Sequence, residues 1–130
     1  MINLEAKTEK LYNIVNIPPV ESVSLKADRE SPAELSTVET VMFTAEAAGG
    51  TGNYEYQFRM YSSSSLFWEV VQEYSDDNTY YWTPDQADAY WIAVWARNAV
   101  SSVNFEAKTE RIFRIMGDDR YTFFRNICKT

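Results

Sequence analysis

The twelve residues "NFEAKTERIFRI" (104–115) decide the fold, because they admit two readings. Their Glu, Ala and Lys content favours a helix. Phe105, Ala107, Ile112, Phe113 and Ile115, however, do not keep helical spacing, and a strand accommodates them better. A bulge near Thr109–Glu110 is expected to absorb the break in alternation. With this segment read as a strand, the chain is all-β.

Nearly the same segment stands 101 residues earlier, as "NLEAKTEKLYNI" (3–14). Seven of the twelve positions are identical, including the polar order "EAKTE". Leu4 for Phe105, Lys10 for Arg111, Leu11 for Ile112 and Tyr12 for Phe113 are like-for-like exchanges. A recurrent segment marks a repeat architecture, and its period is the size of one unit. A period of roughly 100 residues suits an immunoglobulin-like sandwich. The expected organisation is therefore the last strand of a preceding tandem repeat over 1–15, one complete module over 16–116, and a tail or the start of a next element over 117–130. "VNIPPV" (15–20) is the linker, where Pro18 and Pro19 donate no ladder hydrogen bonds and stiffen the joint.

Between the two copies, strand patterning dominates. "VESVSLKAD" (20–28) places Val23 and Leu25 on one face, and "ESPAEL" turns the chain. "ETVMFTAEAA" (39–48) alternates Val41, Phe43, Ala45 and Ala47 against Met42, Thr44 and Glu46. "GGTGN" (49–53) is a tight turn leading into "YEYQFRMY" (54–61), with Tyr54, Tyr56, Phe58 and Met60 inward. "FWEVVQEY" (67–74) puts Trp68, Val70 and Tyr74 on one face, with Trp68 expected as the large core residue. "TYYWTP" (79–84) is short and stopped by Pro84, and "AYWIAVWARN" (89–98) sets Tyr90, Ile92, Val94 and Ala96 against Trp91, Ala93, Trp95 and Arg97. With 104–115, these make a seven-stranded β-sandwich, immunoglobulin-like or fibronectin type III-like.

Composition narrows the chemistry. The net charge of −7 (12 Lys+Arg against 19 Asp+Glu) repels phosphate backbones, so nucleic acid is not an expected partner. No apolar run reaches the roughly 18 residues of a membrane helix, and no membrane insertion is expected. The chain has no His, which removes the commonest general base and transition-metal ligand. One Cys, Cys128, forms no internal disulfide or thiolate zinc site. No signal peptide is visible at the start, which is consistent with a cytosolic chain or with a piece of a longer one. No cofactor, metal or enzymatic activity is expected: the acidic pairs in "YSDDNTY" and "GDDR" lack calcium-loop spacing, and "GGTGN" joins two strands instead of opening a helix.

The series "SP", "FTAEAAGG", "YEYQFRM", "WEVVQEYS", "WTPDQADAYWIAVWARN" and "NFEAKTERIFRI" resembles the bacterial triple-tyrosine domain, the three-Y domain of two-component regulators. Tyr56, Tyr74 and Tyr90 match its tyrosines, while Ala87–Asp88–Ala89 departs from it where a glycine usually stands. The resemblance implies a fibronectin type III-like sandwich in an extracellular, cell-surface or periplasmic protein, and no catalytic residues. Tyr90, at the start of its strand, is placed to bury its ring and bond a loop backbone as a tyrosine corner.

The candidate binding residues are Trp91, Trp95 and Arg97, on the outward face of one strand, with Tyr81 added. Large exposed apolar patches mark interfaces. A contact between modules is the first expectation for this face. A flat aromatic platform for sugar rings and cover by long neighbours such as Arg59 rank below it. The expected function is that of a non-catalytic repeat module acting in spacing, adhesion or protein contact. A carbohydrate-binding module and a dimerising extracytoplasmic segment of a sensor are the alternatives. The duplicated segment 3–14 carries a further expectation, strand-mediated self-association.

Overall fold

The computed structural model describes residues 17–117, and these form eight strands without a helix. In chain order they are β1 (Val20–Ala27), β2 (Ala33–Glu34), β3 (Val41–Gly49), β4 (Tyr54–Ser62), β5 (Trp68–Ser75), β6 (Thr79–Trp82), β7 (Asp88–Asn98) and β8 (Ala107–Met116). Three of them make one sheet, ordered β1-β3-β6, and five make the other, ordered β2-β8-β7-β4-β5. All pairings are antiparallel except that of β2 with β8. The first and last segments of the chain lie outside the described residues, including 3–14 and Cys128.

The two sheets face each other across an aromatic core. Phe43 of β3 meets Phe113 of β8 edge-on at 5.9 Å between ring centroids. Trp82 of β6 meets Tyr90 of β7 at 4.7 Å and Phe113 at 5.8 Å, also edge-on. Phe58 of β4 stacks on Tyr80 of β6 at 5.8 Å. Each pair joins one sheet to the other, and edge-on geometry is the arrangement that ring quadrupoles favour. Val41, Ile92, Val94 and Ala96 are buried beside them. The alternation expected for 39–48, 54–61 and 89–98 is the alternation found.

Three expectations need correction. There are eight strands, because Ala33–Glu34 in the expected turn pairs in parallel with Ile115–Met116. Two residues carry no period, so sequence pattern cannot reveal such a strand. The segment 104–115 is extended, but no bulge falls at Thr109–Glu110: the β7–β8 register runs without a break from Asp88↔Ile115 to Ala96↔Ala107. The irregularities lie in β1 after Val20 and, twice, along the β4–β5 pairing. Those β4–β5 shifts bear on the third correction: Trp68 is not a core residue. It pairs with the outward Tyr61 and is 39% exposed, while Trp82, 8% exposed, fills the centre. Trp68, Val70 and Tyr74 do share a face, but it is the outer one.

The turn before β4 works as its glycines suggest. Gly49, Gly50 and Gly52 all have positive φ. At Gly50 a Cβ would also come within 2.4 Å of Asn98 Oδ1, so this turn is packed onto the end of β7.

Candidate interaction surface

Alternation along β7 sends Trp91, Ala93, Trp95 and Arg97 to the outer face of the five-stranded sheet. Register places Tyr61, Arg59, Gln57 and Glu55 of β4 opposite them, and Ile112, Glu110 and Lys108 of β8 on the other side. Three of the four sequence-predicted site residues therefore stand together. Tyr81 does not join them: it lies on β6 opposite Met42, in the other sheet, and is 63% exposed.

The tryptophans are not bare. The Arg59 guanidinium lies over the Trp95 ring at 3.5 Å from its centroid, and Phe105 packs against the same indole at 4.8 Å. Arg59 is itself held, since its Nε donates to Gln57 Oε1 at 2.8 Å, and Gln57 Nε2 donates to Glu73 Oε1 at 2.9 Å. Trp91 meets Tyr61 edge-on at 5.6 Å, and Tyr61 meets Trp68 at 5.4 Å. Cover by neighbouring side chains, ranked below a module contact on sequence grounds, is what Trp95 has. A cation over an indole face is worth about 0.5–2 kcal/mol, depending on how far the pair is desolvated.

Arg97 anchors the other end of the face. Its Nε donates to Glu55 Oε1 at 3.0 Å, its Nη1 donates to the Val103 carbonyl at 2.7 Å, and its guanidinium covers the Tyr74 ring at 3.8 Å. The Tyr74 hydroxyl donates to the Asn104 carbonyl. Burial pushes the Tyr74 phenol up to about 12, against the downward pull of Arg97 and Arg59. The loop after β7 is thus tied to β5 and to Arg97.

Ala93 sits between the two tryptophans on β7, and its missing bulk leaves a groove of about 440 Å³. Trp68, Trp95, Arg59, Lys108 and Glu110 form its walls. Trp68, on its wall, remains exposed, as does Val70, which pairs with Arg59 on the neighbouring strand. Sequence reasoning missed Trp68 as a member of this face. The signal was hidden, because a large aromatic on an alternating strand reads as core until a bulge or a register assigns its side.

A second polar cluster sits where β1 begins. Glu106 Oε1 accepts the backbone N–H of Val20 at 3.1 Å and that of Asn98 at 2.9 Å. The buried Asn98 side chain donates from Nδ2 to the Pro18 carbonyl at 2.8 Å and accepts the Thr51 N–H at 2.9 Å. Burial works to raise the Glu106 carboxyl, but the Asn98 and Val20 N–H groups, with help from Ser101 and Arg97, outweigh it and hold the group below its usual range. The Pro18 end of the linker is thereby stapled to the module. Among the described residues, no group of three or more acidic or Cys side chains is placed to hold a metal ion.

No protein-family model matches this chain, and no curated protein sequence matches it significantly.

Proposed function

We propose that residues 16–116 are a non-catalytic, fibronectin type III-like repeat module of an exported or surface protein, and that its outer aromatic face contacts a partner protein. The observation that carries the contact is the exposure of Trp68, on the groove wall, and of Val70, opposite Arg59, beside aromatic rings already held by Arg59 and Tyr61. Preordered aromatic and Arg side chains lose little freedom on binding, which is why they dominate protein interfaces. With β2 set aside, the remaining strands divide three against four, which supports the fibronectin-like type. Tyr90 supports it too, as its buried ring and the 2.7 Å bond from its hydroxyl to the Gln86 carbonyl form the expected tyrosine corner. Two of the three tyrosines of the resemblance tie their hydroxyls to backbone carbonyls, Tyr90 at Gln86 and Tyr74 at Asn104. This supports the triple-tyrosine reading, and with it the extracytoplasmic setting.

A photo-crosslinking side chain at Val70, in cells that make the protein, tests the contact. A protein adduct of discrete mass that disappears with Trp68→Asp supports it. An adduct indifferent to Trp68→Asp, or none at all, defeats it. The groove favours one second reading, an oligosaccharide held between Trp68 and Trp95 with Lys108 and Glu110 as polar partners. Binding on a glycan panel, lost in Trp95→Ala, would establish that reading instead.

A further inference from the structure

We infer that the groove walled by Trp68 and Trp95 is a carboxylate site, and that the partner fills it with an acidic side chain of an extended peptide segment, held by Arg59 and Lys108. The inference rests on the partner-contact reading above and names what the partner presents.

Two arginines of the outer face differ in how their charge is met. Both lie over a ring, Arg97 over Tyr74 at 3.8 Å and Arg59 over Trp95 at 3.5 Å. Arg97 Nε donates to the Glu55 carboxylate, and its Nη1 donates to the Val103 carbonyl. Its charge is neutralised and its donors are engaged within the module. Arg59 Nε donates instead to Gln57, a neutral amide, which Glu73 fixes from behind. Among the described residues no carboxylate lies within ion-pair distance of Arg59, and neither of its Nη groups has a hydrogen-bond partner. Stacking and one bond thus orient this guanidinium, while the outer edge of its fork stays open. A guanidinium takes a carboxylate through two parallel N–H donors, and one already held in plane loses little freedom in doing so.

Lys108 reinforces the site. Its ammonium is 5.9 Å from the Trp95 centroid and 4.9 Å from that of Phe105, again with no carboxylate in ion-pair range among the described residues. Two cations therefore stand about one indole, in a chain whose net charge is −7. Their mutual repulsion falls when an anion enters between them. A highly charged anionic polymer would meet the field of the whole acidic chain, whereas a single carboxylate meets the local pair.

Glu110 sets the limit. It stands across Ala93 from Arg59 and is paired with neither cation. A second carboxylate is repelled there, and the N–H groups of a peptide backbone find an acceptor. The remaining walls also suit a peptide, since Trp68 and Trp95 offer aromatic surface to the residues beside the acid.

An array of heptapeptides, acetylated and amidated so that only side chains carry charge, tests this on the full chain. Bound peptides should contain Asp or Glu beside an apolar residue, and exchange of that acid for its amide should weaken binding about tenfold or more. Arg59→Lys keeps the charge without the fork and should weaken binding by a similar factor. Lys108→Gln should weaken it several-fold, and Glu110→Gln should strengthen it. Lys26→Gln removes an exposed cation of the other sheet and should leave binding unchanged. Binding that is indifferent to the acid overturns the inference, as do equal effects of Lys108→Gln and Lys26→Gln. So does an array on which no peptide binds. The crosslink at position 70 reads whether a partner is met and the array reads what the groove accepts, so the two readings fail separately.

Discussion

The two faces of the five-stranded sheet carry the same kinds of side chain and use them differently. Inside, Tyr90 and Phe113 meet Trp82 and Phe43 ring to edge, with no charge among them. Outside, Trp95 lies under Arg59, Tyr74 lies under Arg97, and the guanidinium groups are in turn bonded to Gln57 and Glu55. Adjacent residues of β7 feed both faces. Apolar burial is non-directional and holds the sheets together, whereas the outer rings are positioned by cations with defined donors. The inner array should therefore set stability, and the outer one should set the shape of a surface.

The largest expected effect separates them directly. Trp82→Ala should cost about 3–5 kcal/mol in chemical denaturation, since it opens a cavity between the sheets. Trp68→Ala should cost under about 1 kcal/mol. Similar losses at the two positions would break the comparison and make the outer face a second core.

A double-mutant cycle with Arg59→Met and Trp95→Ala sharpens it. The coupling between the two should be about 0.5–2 kcal/mol, and neither single change should approach the loss at Trp82. Zero coupling would mean that Arg59 merely rests on the indole. Arg59→Met also uncovers a face of Trp95, so any oligosaccharide affinity should rise in that variant.

Two smaller effects depend on pH. Glu106 is held below its ordinary 4.5 by the Asn98 and Val20 N–H groups. A depressed folded value contributes stability above 4.5 and loses it as pH falls through the folded value. Glu106→Gln should cost less than about 1 kcal/mol at neutral pH and flatten the acid limb of the stability curve. An unchanged acid limb would show that the staple on Val20 does not depend on charge. Tyr74 is shifted the other way, from 10 to about 12. Its unfolded phenol ionises first, so its contribution is complete below pH 10 and is lost as pH rises toward 12. Tyr74→Phe should reduce that alkaline slope. It should not abolish it, because Tyr56, Tyr80 and Tyr90 are raised by burial as well.

Much of the fold was legible in the residues. Period-two alternation in 39–48, 54–61 and 89–98 identified the inward set, because a strand facing a core must send every second side chain into it. The glycines of 49–53 marked their turn, and Tyr90 marked its corner. Legibility failed at 67–74. Trp68, Val70 and Tyr74 were grouped correctly and assigned to the wrong side, since alternation states which residues share a face and not which face meets the core. Trp82, in a strand of four residues, gave too little pattern to compete with Trp68. Of the candidate site, Trp91, Trp95 and Arg97 were placed together by spacing alone. Tyr81 was misplaced because membership in one sheet or the other is a matter of pairing.

By itself the sequence determined an all-β chain, the members of each face along its strands, and the duplicated segment with its period. These are local or one-dimensional properties, set by side-chain alternation and by identity along the chain. The tertiary structure alone decided which face of β5 turns outward, that Trp95 is covered by Arg59, and that Glu106 and Asn98 hold the end of the linker. Each of these depends on register between strands distant in sequence, where a shift of one residue exchanges the two faces.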